Sequence, residues 1–227
     1  IGEQAGLSSL GLVGYLAQNA PDVGSGLNSL VRYFHLHGQG SVVSLNVEAD
    51  MAFLGYTIYQ PGVEASDQIE DSAVAIIYNV LLTLCGPDLK PVEICFAHRK
   101  PQDTKSFERF FNSPLQFDTE LNGIFFDAKN LNQPIRSADP ELHRILQKQI
   151  DKLEEEYTDD FPEQVRRVLI TALLMGHAKA DQVAALFSMH SRTLNRRLES
   201  YNTSFRRLAD EVRYEITRQL LEASDME

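Results

Sequence analysis

The most conspicuous chemistry in this chain is cationic. Residues 162–222 hold ten Lys/Arg against seven Asp/Glu, and all of those cations except Lys179 are arginine. Three of them fall in one short run, Ser191-Arg192-Thr193-Leu194-Asn195-Arg196-Arg197-Leu198. A guanidinium presents a planar fork of donors that suits guanine or a phosphate, and an asparagine amide suits adenine. On a helical wheel of ~100° per residue, Leu194 and Leu198 define one side. Arg192, Arg196 and Glu199 fall opposite, and Thr193 and Asn195 flank them. Arg197 sits at the edge, where it would reach a phosphate or an acidic neighbour. A recognition helix needs this arrangement, with its apolar side anchored and its outer side in the major groove. The candidate DNA-contacting residues are Ser191, Arg192, Thr193, Asn195 and Arg196, with Arg206 and its neighbour Arg207 clamping the backbone from the next helix. The competing reading is a plain helical bundle with solvated arginines.

Other residue types offer less. His35 and His37 stand two apart, so on a helix they face different directions, which is poor spacing for metal ligands. His98 follows a strand and is expected to make a structural hydrogen bond. Asp67, Glu70 and Asp71 gather at a helix start, where the helix dipole favours carboxylates. Cys85 and Cys95 form no C-x-x-C pair and read as reduced thiols. No G-x-S-x-G, glycine-rich phosphate loop or H-E-x-x-H occurs. The sequence therefore points to no metal, no cofactor and no enzyme. Tyr15, Tyr33, Phe53, Tyr56 and Tyr59 are able to wall a small-molecule pocket, but a sheet core uses the same residues, and no ligand-binding residue is assigned.

The elements that must position these groups follow from hydrophobic period. Residues 8–18 and 24–37 read as helices. Residues 41–47 and 52–58 alternate apolar and polar, which predicts a hairpin turning at Ala49-Asp50. A strongly apolar helix over 66–85 stops at Gly86-Pro87. Strands follow at 92–96, 115–117 and 123–126, with a helix over 103–111 capped by Asp103. This order predicts an α+β domain with a mostly antiparallel sheet. A polar helix over 139–157 leads to a boundary near 157–161. Asp160 and Pro162 then open an all-α segment with helices over about 162–173, 180–187, 191–200 and 204–222, the second and third joined by a turn at Ser188-Met189. The expected domains are 1–136, a connecting helix and linker over 137–161, and a helical subdomain over 162–227.

Net charge is −11, which looks wrong for a nucleic-acid binder until the chain is divided. Residues 1–161 carry 11 Lys/Arg against 23 Asp/Glu, so the acidity belongs to the first part and the second is locally basic. No apolar run is read as approaching the ~20 residues of a membrane span. The start Ile1-Gly2-Glu3-Gln4 lacks both the basic segment of a signal peptide and an initiator Met, and reads as a cut into a longer domain.

Residues 183–198, from Val183-Ala184-Ala185-Leu186-Phe187 to Arg196-Arg197-Leu198, resemble the first helix-turn-helix of AraC-type regulators. Asn202-Thr203-Ser204-Phe205, Asp210-Glu211-Val212-Arg213 and Leu220-Leu221 continue the pattern into that family's linker helix. Earlier, Leu10-Gly11-Leu12-Val13-Gly14-Tyr15, Arg32-Tyr33-Phe34, Phe96-Ala97-His98, Phe110-Phe111-Asn112-Ser113-Pro114 and Asn122-Gly123-Ile124-Phe125-Phe126 resemble the arabinose-binding-like sensor domain of one branch. The pattern usually has Gly where Ser188 stands, Ser where His190 stands and often Pro where Ser191 stands, so Ser191 is expected to take over as N-cap. The resemblance implies a cytoplasmic, dimeric transcription regulator, with an activator expected and a repressor left open. It implies binding to double-stranded promoter DNA, an unidentified small-molecule effector and contact with RNA polymerase. It also implies a chain shortened at its N-terminus and lacking a second helix-turn-helix. The alternative is a dimerisation or protein-interaction module without a small-molecule ligand.

Overall fold

The computed structural model describes residues 2–38, 40–58, 63, 65–156, 161–174, 178–187 and 190–224. The chain divides into two compact units, Ile1–Glu156 and Tyr157–Glu227.

The first unit is a five-stranded sheet with helices. Strands β1 (Ser41–Glu48) and β2 (Met51–Ile58) form the expected hairpin, turning through Ala49 at φ 49°. β3 (Glu93–Cys95), β4 (Leu115–Gln116) and β5 (Asn122–Asp127) complete the order β1-β2-β5-β3-β4, and only the β3–β4 pair is parallel. The helices are α1 (Gly11–Gln18), α2 (Val23–Tyr33), α3 (Ser66–Cys85), α4 (Lys105–Phe111) and α5 (Pro140–Glu156). Burial of Leu16, Leu27, Leu54, Leu81, Phe96, Ile124 and Phe126 joins helices and sheet in one core. At about 25 cal/mol per Å² of apolar surface, each such side chain contributes roughly 2 kcal/mol.

Local chemistry sets the boundaries. The segment read as one helix over 8–18 breaks into a 3-10 turn at Leu7–Leu10 and α1. Gly14 permits this, because a Cβ there would overlap the Leu7 carbonyl oxygen. Asp22 caps α2 by accepting from the Ser25 N–H at 2.7 Å. Asp139 caps α5 by accepting from the Glu141 and Leu142 N–H groups. α4 starts two residues later than the sequence predicts: Thr104 is its N-cap residue and Asp103 accepts from the Lys105 N–H. α3 ends where Gly86 takes φ 97°, a conformation glycine adopts at little cost.

α3 departs from one sequence expectation. It is long and apolar enough to cross a membrane by length and composition, with a mean hydropathy of 1.3 over 18 residues. Its buried side, Val74, Ala75, Ile77, Val80, Leu81 and Leu84, packs in the core of the first unit, so it reads here as a core helix. β2 carries Ala52, Leu54 and Tyr56 toward that core and turns Phe53 to its other face, against Phe125. Gly55 stands opposite Gly123 across the β2–β5 ladder, and the Phe53 ring lies over both, so a Cβ on either would collide with it.

The second unit is all helical in its described residues: α6 (Phe161–Leu174), α7 (Ala180–Leu186), α8 (Ser191–Glu199) and α9 (Phe205–Ser224). Its core is Phe161, Val165, Leu169, Ile170, Val183, Ala184, Leu194, Leu198, Leu208, Ala209 and Val212. The predicted cap Asp160, the predicted turn Ser188-Met189 and the chain end 225–227 lie outside the described residues.

Candidate nucleic-acid interface

α8 has nine residues and two unlike sides. Leu194 and Leu198 are fully buried. Arg192, Thr193, Arg196 and Glu199 are exposed. The small Ala184 on α7, also fully buried, leaves room for a close crossing of the two helices. His190 has extended backbone (φ −79°, ψ 151°), and its carbonyl accepts from the Thr193 and Leu194 N–H groups at 2.9 and 3.0 Å. The N-cap position is therefore His190 rather than Ser191, which is already helical. The far end closes through Asn202 in the left-handed region, φ 56°, with the Thr203 N–H donating to the Leu198 carbonyl.

The arginines of this unit differ in their partners. Arg166 donates from Nη2 to Glu211 at 2.6 Å and from Nη1 to Glu215 at 3.1 Å, with Glu163 at 3.5 Å from its Nε. Arg207 also pairs with Glu211, at 3.0 Å. Arg213 pairs with Asp210 at 2.8 Å, and the strongly exposed Arg206 lies 4.0 Å from the same carboxylate. Arg197 has no acidic partner among the described residues: its guanidinium carbon lies 4.0 Å over the centroid of the Phe161 ring. Arg192 and Arg196 form no ion pair among the described residues. Asn195 turns its Nδ2 back to the Ser191 carbonyl at 3.1 Å, so its amide is engaged within α8.

Of the sequence-selected residues, the structure thus gathers Arg192, Thr193 and Arg196 on the open side of α8. It leaves Ser191 partly buried in the first turn and Arg206 on α9.

The first unit holds its polar groups differently. His98 donates from Nδ1 to the Arg99 carbonyl at 2.9 Å and from Nε2 to Asp71 at 2.8 Å. A ring facing acceptors at both nitrogens is satisfied only as the imidazolium. Burial pulls the imidazole down, but the Arg99 carbonyl and the Asp71 carboxylate push it up, and the net is above its usual range. Burial raises the Asp71 carboxyl despite the His98 bond, and raises Glu70 despite a bond to Asn122. Two of the three acids read as dipole partners therefore tie α3 to the loop after β3 and to β5, a role that spacing alone did not reveal. Burial also lifts the Cys85 and Cys95 thiols, to about 11 and about 12.

Three of the aromatic residues named as possible pocket walls lie apart from one another. Tyr15 is exposed, Tyr33 is in the core bonded to Gln147, Phe53 lies on the opposite face of the sheet, and Tyr59 lies outside the described residues. Among the described residues no cluster of three His, Cys, Asp or Glu is placed to hold a metal.

Residues 1–135 match the family described as the arabinose-binding domain of AraC transcription regulators, N-terminal. The HTH-type transcriptional regulator VirS of two Mycobacterium tuberculosis strains is 27% identical over 196 residues, covering 85% of this chain and 57% of that protein. This chain thus spans a little over half the length of that relative. The ornithine utilization regulator of Pseudomonas aeruginosa is 22% identical across 100% of this chain and 67% of its own. The crystal structure of the transcriptional regulator CdpR from Pseudomonas aeruginosa has a like fold, with a TM-score of 0.55 and 21% identity over 97% of this chain and 72% of that one. With more than half of its residues matched by the sensor-domain family, the chain belongs to the AraC transcription regulators of the arabinose-binding N-terminal type.

Proposed function

We propose that this protein regulates transcription by binding promoter DNA through α7 and α8 under the control of an effector held in the first unit. The domains follow as 1–136 for sensing, 137–161 as connection and 162–227 as the first helix-turn-helix with its linker helix. In this reading α8 is the recognition helix. Arg192 and Arg196 contact guanine or phosphate, Thr193 and Ser191 contact the backbone, Asn195 reads a base after releasing the Ser191 carbonyl, and Arg206 clamps phosphate from α9. The observation that carries it is the two exposed arginines standing opposite fully buried Leu194 and Leu198 on one short helix.

Each phosphate neutralised by a cation makes the logarithm of the binding constant fall by roughly 0.9 per decade of salt. Titrating the chain into double-stranded DNA at several salt concentrations tests the reading. Binding with a negative salt slope supports it, and no binding at low salt ends it.

The non-enzymatic reading rests on the relatives being named regulators. Effector control requires a ligand whose affinity differs between two arrangements of the protein. The names of the family and of one relative make pentoses and ornithine the first candidates for a thermal-shift screen. Cytoplasmic location and contact with RNA polymerase belong to the same proposal. A homodimer is favoured by a separate observation: Leu142, Ile145 and Leu153 form an exposed apolar stripe along α5. The stripe equally serves the second reading, a dimerisation module without a ligand. Sedimentation of Ile145→Lys against the parent chain tests it.

A further inference from the structure

We infer that Arg197 is a positioning residue for α8 and not one of its DNA contacts, an inference that rests on the reading of α8 as the recognition helix. The helical wheel already sets Arg197 apart from Arg196, at the edge of the outer face. The structure shows what it meets there. Arg197 lies about 80° from the midline of the Leu194–Leu198 seam on the wheel, whereas Arg196 is opposite it. Its guanidinium carbon lies 4.0 Å over the centroid of the Phe161 ring.

Phe161 is the first residue of α6, is 1% exposed, and lies against Phe187 and Tyr201, with ring centroids at 5.5 and 6.5 Å. These two residues flank α8 in the chain, one after α7 and one after α8. Phe161 is thus the floor under the residues that precede and follow α8, and Arg197 is the bolt between them. Stacking on an aromatic face fixes the plane of the guanidinium and so fixes the helix that carries it. A helix of nine residues held mainly by Leu194 and Leu198 is free to roll about that line of contact. A third attachment to one side of the line opposes the roll, and the roll angle decides where Arg192 and Arg196 point.

The test compares Arg197→Gln, Arg197→Met, Arg192→Gln and Arg196→Gln in titrations of a mixed-sequence DNA duplex at several salt concentrations. Methionine removes the charge but keeps a favourable sulfur–ring contact with Phe161. The expected result is that Arg197→Gln weakens binding about threefold to tenfold at every salt concentration with the slope unchanged. Arg197→Met should recover most of that loss. Arg192→Gln and Arg196→Gln should each lower the slope by roughly 0.9. The inference is overturned if Arg197→Gln and Arg197→Met are alike and both lower the slope by a full contact, since that is the behaviour of a phosphate ligand.

Amide hydrogen exchange of α8 without DNA supplies the separate readout. Faster exchange in Arg197→Gln, restored in Arg197→Met, supports the bolt; unchanged exchange overturns it. If Arg192→Gln and Arg196→Gln leave binding untouched while the exchange pattern holds, it is the recognition-helix reading that fails and not the stacking.

Discussion

α8 and the first half of α9 are both rich in arginine, yet they use it in different ways. On α9, Arg207 and Arg213 close on Glu211 and Asp210 of the same helix, and Arg166 from α6 reaches across to Glu211 and Glu215. These cations are spent on carboxylates, two within α9 and one from α6 to α9. On α8, Arg192 and Arg196 have no ion-pair partner among the described residues, and only Arg197 is engaged, by a ring. Net charge therefore says little about where a polyanion would dock. What matters is which guanidinium groups keep their donors unspent, and that depends on where the acids lie in three dimensions.

The strongest way to break this contrast is to remove the seat of α8. Leu198→Ala should cost about 2–5 kcal/mol in the second unit, read by urea or thermal unfolding, and should abolish DNA binding whatever the arginines do. A loss below about 0.5 kcal/mol would mean that α8 is not anchored by its apolar side. Next in size is the pair Arg192→Gln/Arg196→Gln against the single change Arg207→Gln. The first should flatten the salt slope by about 1.8 and the second should leave it nearly unchanged. Equal slopes would erase the distinction between the helices.

Glu211→Gln sharpens it from the other side. Losing the carboxylate frees Arg207 and leaves Arg166 to Glu215 and Glu163, so stability should fall by about 0.5–1 kcal/mol, since these pairs are partly solvated, while DNA affinity rises severalfold. A drop in affinity would show that Glu211 supports the docking surface rather than competing with DNA.

The smallest effect lies in the first unit and separates arginine from histidine. Arginine pairs are indifferent to pH near neutrality, but the His98–Asp71 tie is not. His98 has a folded pKa above its ordinary value. Its contribution is complete below the unfolded pKa and is lost as pH rises through the folded one. The raised carboxyls of Glu70 and Asp71 act in the same direction at lower pH, because ionising them is harder in the folded protein than in the unfolded. The first unit should therefore lose stability as pH climbs from mildly acidic to mildly alkaline, and His98→Gln should flatten the upper part of that curve in pH-dependent unfolding. A curve that rises with pH would reverse the assignment.

Much of the fold was legible because it depends on neighbours in sequence. Alternation at 41–47 and 52–58 placed the β1–β2 hairpin within a residue or two, and the Leu194–Leu198 spacing placed α8 to within one residue. What escaped was long-range. Glu70 and Asp71 looked like dipole partners because their true partners, Asn122 and His98, lie some 27 to 52 residues away. The contact of Arg197 with Phe161, 36 residues earlier, gave no sign of itself in the sequence either. The N-cap of α8 was assigned one residue late for a local reason: serine is the better cap by preference, but the extended backbone at His190 decides the position.

The Gly55–Gly123 pair under the Phe53 ring also bears on how the first unit is assembled. The ring fits only where two bare backbones face each other, so a slip of β5 along β2 by one residue would put a side chain under it and reverse every inward-facing residue of the strand. That pairing joins positions 68 apart in the chain, and loops of such length close slowly. Folding of the sheet should then hinge on one late, all-or-none event in which β5 finds its single permitted alignment, and Gly123→Ala should slow refolding more than it speeds unfolding if that alignment is made in the transition state.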